Sequence, residues 1–213
     1  MQDTCLVPTP PYSALIFDCD GTLAHTIPTH IQAWLATLRP LGVDLSQEWL
    51  YDRRGMSSLE LIETVNQTFG FALDANVVNP ARKKYFLDLL HQVVEIEAVA
   101  DVARSHYGRV PLAVASGGDI RVVEPTLKAI GLYSLFDAIV TVNDVERGKP
   151  APDIFLLAAD RMGVTPTDCI VYEDSDAGLE AAQRAGMRAI DVQELWLIAE
   201  AEIGITDSQE TRM

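Results

Sequence analysis

The segment ALIFDCDGTLAHT, residues 14–26, decides the fold. It runs from four apolar residues into two carboxylates, Asp18 and Asp20, and then directly into Gly21 and Thr22. The apolar run is typical of a buried strand. Two like charges at the end of such a strand would be costly without partners, because burial disfavours both ionised forms. We therefore expect a positive group beside them.

The composition limits the size of the protein and its partners. The chain has 213 residues, of which 48% are hydrophobic, enough for one core with a small second lobe. Its 31 Asp and Glu against 16 Lys and Arg give a formal net charge of -15. This charge repels nucleic acid and anionic membrane surfaces at long range, so we expect neither as a partner. An anionic ligand has to be held by short-range groups such as a divalent cation, a lysine or backbone amides.

Cysteine usage and the N-terminal segment favour a cytoplasmic protein. The three cysteines, Cys5, Cys19 and Cys169, have neither an even count nor a CxxC spacing, so they indicate neither a disulfide framework nor a zinc site. No run approaches the roughly 18 apolar residues of a membrane span, and the start lacks the pattern of a signal peptide. With prolines at positions 8, 10 and 11, residues 1–11 are expected to form a disordered tail that does not join the core.

Strand-like and helix-like segments alternate along most of the chain. Apolar runs that predict buried strands lie at residues 14–17, 110–115, 138–142, 169–172 and 188–192, and helical patterns lie at residues 120–130, 153–162 and 178–185. Because parallel neighbours need crossover connections, this alternation predicts an α/β fold with a doubly wound parallel sheet. Ligands of such sheets bind beyond the carboxyl ends of the strands.

A long interval of about ninety residues separates the first two predicted strands, which is too many for a simple crossover. Residues 26–93 are poor in strand signals and carry helical periodicity at 29–38, 58–69 and 80–94. We predict that residues 26–93 form a helical cap above the carboxyl edge of the sheet, the right place for a lid. Residues 12–25 and 94–213 then form the core.

Four polar motifs follow four of the predicted strands. In chain order they are Asp18 with Asp20, ASGGD with Ser116, RGKPAPD with Lys149, and YEDSDAG with Glu173 and Asp174. Parallel strands bring these ends to one edge of the sheet. Because carboxylate oxygens suit Mg²⁺, we expect the ion to neutralise Asp18 and Asp20, and Asp174 to complete its shell.

The same strand ends carry groups that suit a phosphoryl group. These are a lysine, a hydroxyl and backbone N–H groups in the turns: Lys149, Ser116, Gly21, Thr22 and Gly117. Two carboxylates in different environments can divide the chemistry of phosphoryl transfer. Asp18 is expected to attack phosphorus and form an aspartyl-phosphate, and Asp20 to protonate the leaving alkoxide and then deprotonate the hydrolytic water.

The motifs FDCDGTL, ASGG, GKPAPD and EDSDAG, in this order and with a helical insert after the first, resemble the haloacid dehalogenase superfamily. The resemblance is to its branch of beta-phosphoglucomutase-like and fructose-1-phosphatase-like sugar phosphatases, and it covers about residues 13–192. It implies a Rossmann-like core, a helical cap that opens and closes, Mg²⁺ dependence and small phosphorylated metabolites as substrates. The family's motif roles fall on Asp18, Asp20, Ser116, Lys149, Glu173 and Asp174, which adds Glu173 to the metal ligands.

Several positions depart from the family's pattern. His25 stands where members commonly have an acidic residue; it could tune the hinge or contact substrate, but a solvated or locally hydrogen-bonded loop residue is the favoured interpretation. His30 matches a position that lies near the acid/base aspartate in the mutases, which favours a functional role. In the cap, Arg54 and Lys84 are the candidate substrate contacts, with a solvated helix charge as the alternative for each.

Two further departures concern a second phosphate on the substrate. Ser58 stands where the mutases carry an arginine for that phosphate, and Gly118 with Asp119 replaces a polar pair. A carboxylate there would repel a second phosphate. We therefore expect a monomeric phosphatase that acts on a small phosphate ester. The alternatives are phosphoryl transfer of the beta-phosphoglucomutase type and a catalytically quiet protein that binds phosphorylated ligands.

Overall fold

The structure, a computed structural model, describes residues 6–53 and 56–193. Its strands in chain order are β1 (Ala14–Phe17), β2 (Ala24–His25), β3 (Val94–Glu95), β4 (Leu112–Ser116), β5 (Ala138–Thr141), β6 (Cys169–Glu173) and β7 (Arg188–Asp191). The α-helices are α1 (Ile27–Leu38), α2 (Gln47–Tyr51), α3 (Ser58–Phe69), α4 (Ala75–Asp88), α5 (Glu97–His106), α6 (Ile120–Ala129), α7 (Asp153–Met162) and α8 (Asp176–Arg184).

Five strands form the central sheet in the order β5-β4-β1-β6-β7, and every neighbouring pair is parallel. The predicted α/β fold with a doubly wound sheet is therefore confirmed. Strand β1 lies in the middle and is buried along its whole length, as expected for a strand whose two faces are both covered. The polar residues that follow β1, β4 and β6 consequently emerge at one edge of the sheet.

Helices cover both faces of this sheet. On one face α5 and α6 pack on an apolar layer that includes Leu15, Phe17 and Leu127. On the other face α7 and α8 pack on a layer rich in alanine, with Phe155 as its largest side chain. The small side chains of that second layer let the two helices approach the strands closely.

Helices α1 to α4, which we call the helical insert, have a separate apolar cluster that includes Trp34, Leu38 and Val65. Helix α3 begins with a capping box between Ser57 and Glu60, a signal readable from the sequence. Helix α4 differs from the prediction, because it begins at Ala75 and contains Pro80 in its interior. The division of the chain into core (residues 12–25 and 94–213) and cap (residues 26–93) stays a prediction.

The sequence analysis missed the short antiparallel pair of β2 and β3, which joins the two ends of the helical insert. Ala24 pairs with Glu95, and His25 pairs with Val94. Two-residue strands carry too little periodicity to be recognised from sequence alone. Both connections to the helical insert therefore run side by side and are held to each other.

The N-terminal segment differs from the expected tail. Residues 1–5 lie outside the described residues, but residues 6–11 contact the core: Leu6 packs on its apolar layer and accepts a hydrogen bond of 2.6 Å from the hydroxyl of Tyr172. Arg188 also donates to the carbonyl oxygens of Thr9 and Pro11. The prediction that this segment does not join the core is wrong for residues 6–11. The prolines keep the segment extended, but its apolar side chain and its backbone carbonyls still make contacts with the core.

Two other expectations concern cysteines and membranes. Cys19 and Cys169 are buried free thiols, and Cys5 lies outside the described residues. No helix in the described part of the chain has the length and apolar character needed to cross a bilayer. The cytoplasmic location and the monomeric state stay predictions.

Candidate active site

Strand register places three of the predicted motifs together. Leu15 in β1 lies opposite Leu112 in β4 and Ile170 in β6, so the three strands end at the same edge of the sheet, with β4 two residues and β6 one residue longer than β1. The amide of Asp18 continues the ladder by donating to the carbonyl of Tyr172 at 3.0 Å. Asp18 thus directly follows the end of β1, and its carboxylate lies beside Glu173 at the end of β6.

Lys149 is the positive group that the two aspartates of the first motif were expected to need. Its Nζ donates to Asp18 Oδ1 at 2.5 Å and to Glu173 Oε2 at 2.7 Å. Burial alone would lower the pKa of Lys149, but the two carboxylates outweigh burial and raise its pKa above the ordinary value. Lys149 is therefore a fixed cation between the tips of β1 and β6.

The second carboxylate oxygen of Glu173 also accepts hydrogen bonds, and the backbone of α8 packs closely against this side chain. Oε1 accepts hydrogen bonds from the amide of Ser175 at 3.1 Å and from its hydroxyl at 2.7 Å. A Cβ atom on Gly178 would lie 2.0 Å from Glu173 Cδ, so only glycine lets α8 start this close. Glu173 is fixed at both ends and is not a mobile surface acid.

Asp18, Glu173 and Asp174 form a group whose ligand atoms lie within 4.8 Å of one another. Asp174 accepts a hydrogen bond of 3.0 Å from Thr22 Oγ1, and it packs against Gly21, where a Cβ would lie 2.2 Å from Asp174 Oδ2. Gly21 has a φ of 85°, a second reason for glycine there. The turn after β1 is thus built around the carboxylate of Asp174.

The acidic group carries more negative charge than its one lysine can neutralise. Burial raises the pKa of Asp18 well above its ordinary value despite Lys149. Burial and the charge of Glu173 raise the pKa of Asp174 to about 7. A hard divalent cation would neutralise the charge of these buried carboxylates and so stabilise their ionised forms. The donor set therefore fits such an ion, with Asp18, Glu173 and Asp174 as ligands.

This excess charge predicts how the stability of the metal-free protein depends on pH. Asp174 has a pKa of about 7 in the folded chain and about 3.9 in an unfolded one. Between these values the folded state holds a proton that the unfolded state has lost, so stability falls as pH rises, by roughly 1.4 kcal/mol per pH unit. Urea unfolding in EDTA from pH 4.5 to 7 measures the slope. Asp174→Asn should make the slope shallower, although Asp18 still contributes to it, and an equal slope in both proteins would contradict the prediction.

The structure does not bring the side chain of Asp20 into the acidic group, although Asp20 was expected to be a metal ligand. Its Oδ1 lies 3.4 Å from His30 Nε2 instead. Burial would raise the pKa of Asp20, but the hydrogen bond and charge of His30 and the charge of Arg82 outweigh burial and lower it. The two aspartates of the first motif therefore have opposite environments, because the chain turns sharply between them.

His30 is itself held in place by a residue that the sequence analysis missed. Arg82 in α4 lies 3.0 Å from His30 Nδ1. Because a guanidinium can only donate, Nδ1 has to accept, and the ring proton lies on Nε2, facing Asp20. Phe86 stacks on the imidazole at a centroid distance of 4.2 Å. The sequence carries no signal for this role, because His30 and Arg82 lie fifty-two residues apart.

The backbone amides available for a phosphate differ in part from those expected. The amide of Gly21 donates to the carbonyl of Ala24 at 2.8 Å and is therefore occupied. Within the described residues, the amides of Cys19, Asp20, Thr22 and Gly117 donate to no protein acceptor. Thr22 and Gly117 were predicted, whereas Cys19 and Asp20 were missed. Ser116 Oγ accepts from the amide of Gly118 at 3.0 Å, which leaves its proton for a ligand.

The structure describes one of the two predicted substrate contacts of the cap, and that one does not lie at the site. Arg54 lies outside the described residues. Lys84 is exposed and pairs with Asp88 one turn further along α4 at 2.7 Å, so the structure does not bring it to the site. The lysine of α4 that reaches the sheet edge is Lys83, whose Nζ lies 2.5 Å from Asp119 Oδ2. Periodicity places these neighbouring lysines only to within one residue, which is enough to exchange a buried side chain for an exposed one.

His25 is neither solvated nor hydrogen-bonded, so the favoured interpretation of this residue is wrong. It is 4% exposed, and neither ring nitrogen has a hydrogen-bond partner. Burial lowers its pKa, so the ring is neutral. The residue lies in β2, at the connection between the sheet and the helical insert, which explains its burial although not its identity.

Comparison with known proteins adds to this geometry. Residues 12–186 match the family model of the haloacid dehalogenase-like hydrolases. The chain is 38% identical over 182 residues to the fructose-1-phosphate phosphatase YqaB of Escherichia coli, covering 85% of this chain and 97% of that protein. It is 30% identical over 205 residues to the validoxylamine A 7'-phosphate phosphatase of Streptomyces hygroscopicus subsp. limoneus, covering 94% and 96%.

A solved structure resembles the whole arrangement. It is that of CbbY from Rhodobacter sphaeroides in complex with xylulose-(1,5)bisphosphate. The TM-score is 0.74 at 28% sequence identity, and the match covers 84% of this chain and 85% of that one. The Rossmann-like α/β architecture is therefore shared with a protein that binds a phosphorylated sugar.

Proposed function

The chain belongs to the haloacid dehalogenase-like hydrolases, and we propose that it is a magnesium-dependent sugar phosphatase that works through a phosphorylated Asp18. That it is a phosphoric monoester hydrolase follows from its match to the family and to named phosphatases. The observation that carries the rest is the contrast between the two aspartates. Asp18 is held by Lys149 within a buried acidic group, and Asp20 faces His30.

The first step uses Asp18 as the nucleophile. Its carboxylate attacks phosphorus, the bond from phosphorus to the ester oxygen breaks, and an aspartyl-phosphate forms. Lys149, the hydroxyl of Ser116 and the free amides of the turn hold the phosphoryl oxygens. A magnesium ion held by Asp18, Glu173 and Asp174 would supply further positive charge against the developing negative charge.

Asp20 moves the protons in both steps. In the first step it protonates the departing alkoxide. In the second it takes a proton from the water that attacks phosphorus, the bond from phosphorus to the Asp18 oxygen breaks, and inorganic phosphate leaves. The lowered pKa of Asp20 in the free protein favours the ionised form, which the second step needs. A bound phosphate ester adds negative charge beside Asp20 and favours the protonated form, which the first step needs. His30, fixed by Arg82, orients the carboxylate.

Sugar phosphates are the proposed substrates because of the relatives. The E. coli relative is named for fructose 1-phosphate, and the Streptomyces relative for validoxylamine A 7'-phosphate. A phosphate-release screen over sugar and polyol phosphates with Mg²⁺ tests the proposal. For the mutase alternative, beta-glucose 1-phosphate with a trace of the bisphosphate is the test: glucose 6-phosphate accumulating without free phosphate would contradict hydrolysis.

Replacing Asp20 by asparagine should slow esters with poor leaving groups far more than activated ones. The amide cannot transfer a proton, and general acid catalysis typically contributes roughly 10²- to 10⁴-fold. With a sugar phosphate we expect a loss in that range, and with p-nitrophenyl phosphate a smaller loss in the first step, because its leaving group needs no proton. Pre-steady-state kinetics of both esters measure the contrast. Equal losses with the two esters would contradict the role of Asp20 as the acid.

A further inference from the structure

An ion pair joins the helical insert to the sheet edge beside the site. Lys83 comes from α4, and Asp119 directly follows the ASGG motif and caps α6. The Nζ to Oδ2 distance is 2.5 Å, and the two side chains are 21% and 10% exposed. This pair is much less solvated than an ordinary surface salt bridge, and water and salt therefore screen it less.

Each residue of the ion pair follows directly after a residue that lies near Asp20 or near its partner His30. On the insert side, Arg82 precedes Lys83 and holds His30 against Asp20. On the sheet side, a Cβ atom on Gly118 would lie 3.4 Å from Asp20 Oδ2. Because Asp20 faces the leaving oxygen in the proposed reaction, the pair borders the space into which a leaving group extends.

Asp119 has a second cationic partner, so it is not an unpaired carboxylate that would simply repel a second phosphate. Arg121 donates to Oδ1 through Nε at 2.9 Å and to Oδ2 through its terminal nitrogen at 2.7 Å. Within the described residues, Asp119 is the one carboxylate paired with either cation. The local sum of charges is therefore positive, and the two cations are already occupied by an anion of the protein.

Asp119 is also fixed, so it cannot easily give way to a ligand. Its Oδ1 accepts the amide of Arg121 at 2.9 Å, which is the cap of α6. A phosphate that bound Lys83 would lie beside this fixed carboxylate, whose negative charge offsets the attraction of the lysine. An uncharged, hydroxyl-bearing group would leave the contact intact.

We propose that Asp119 makes the protein selective for monophosphates with an uncharged leaving group, by occupying the two cations, Lys83 and Arg121, that would otherwise bind a second phosphate. This inference rests on the proposed function and narrows its substrate class. It assigns specificity to a carboxylate and a lysine that do not contact the reacting atoms.

The test compares Asp119→Asn with the wild-type protein. Asparagine preserves the helix cap and removes the charge. The readout is the ratio of the apparent inhibition constants of fructose 1-phosphate and fructose 1,6-bisphosphate against hydrolysis of p-nitrophenyl phosphate with Mg²⁺. We expect the variant to gain affinity for the bisphosphate, relative to the monophosphate, by roughly 10- to 100-fold, the range of charge-assisted hydrogen bonds.

Two further variants separate this mechanism from a general change in charge. Asp88→Asn removes a carboxylate that pairs with one lysine, Lys84, on the exposed side of α4, and it should leave the ratio unchanged. Adding Lys83→Met to Asp119→Asn should remove most of the gain, because the less exposed of the two cations is then absent. A ratio within about twofold of wild type in Asp119→Asn, the same rise in Asp88→Asn, or a gain that survives in the double variant would overturn the inference. If wild-type protein hydrolyses no ester, the proposed function fails, and calorimetric titration of the two esters gives the same ratio.

Discussion

Replacing Asp18 by asparagine is expected to abolish phosphate release from every ester that the protein hydrolyses. The amide has nearly the same shape as the carboxylate, but it cannot attack phosphorus to form the acyl phosphate. Loss of an enzyme's nucleophile typically lowers turnover on the order of 10⁴-fold or more. Steady-state phosphate release with Mg²⁺ measures the loss, and intact-mass spectrometry after acid quenching should find a phosphorylated species only in protein that retains Asp18.

Asp191→Asn is the matched control for this variant. Asp191 ends β7 and lies opposite Glu173 in the register of the sheet, but its side chain is exposed and accepts the amide of Gln193 at 2.9 Å. It is thus also an aspartate at a strand end, outside the acidic group, and its variant should keep the wild-type rate. If Asp18→Asn kept more than about a hundredth of that rate, the nucleophile would have to be another group.

The inner strands of the sheet could be predicted from the sequence, because a strand that is buried on both faces gives a continuous apolar run. The run at residues 14–17 is apolar throughout, and the structure has β1 there. The two-residue strands β2 and β3 give no such run and were missed. The bounds of α4 could not be predicted, because a proline usually lies in the first turn of a helix, whereas Pro80 lies inside α4. Packing of Val78, Arg82 and Phe86, which lie on one buried face, keeps the helix continuous through the proline.

The sheet-edge part of the site follows from topology, whereas the Asp20 side depends on tertiary contacts. Parallel strands bring Asp18 and Glu173 together whatever their side chains do, and the lysine of the third motif reaches both. Nothing in the spacing of His30 and Arg82, fifty-two residues apart, indicates that they touch. The separation of Asp20 from the acidic group was likewise hidden, because one turn of the chain sends neighbouring carboxylates to different partners.

Replacing Lys149 by methionine should damage both turnover and folding. Methionine keeps much of the apolar stem but leaves Asp18 and Glu173, 8% and 1% exposed at their side chains, without their shared cation. Removing one partner of a buried ion pair typically costs about 3–5 kcal/mol. Urea unfolding at pH 7.5 measures this cost. Phosphate release measures the loss of the proposed contact between Lys149 and the phosphoryl oxygens, for which we expect a decrease on the order of 10²-fold or more.

The pH dependence of that cost distinguishes lost charge from lost packing. Lys149 opposes the burial that raises the pKa of Asp18, so its removal raises that pKa further, and the folded variant retains a proton that the unfolded chain releases above about pH 4. Wild-type Asp18 loses its proton at a lower pH than Asp18 of the variant, so the stability difference from wild type should grow as pH rises through the range between these two values and shrink when Mg²⁺ is added. Lys128→Met, which removes an exposed lysine paired with Glu124, is the control and should show neither trend. A deficit in Lys149→Met that is independent of pH would mean that the lysine matters for its packing, and the electrostatic account of the acidic group would then be wrong.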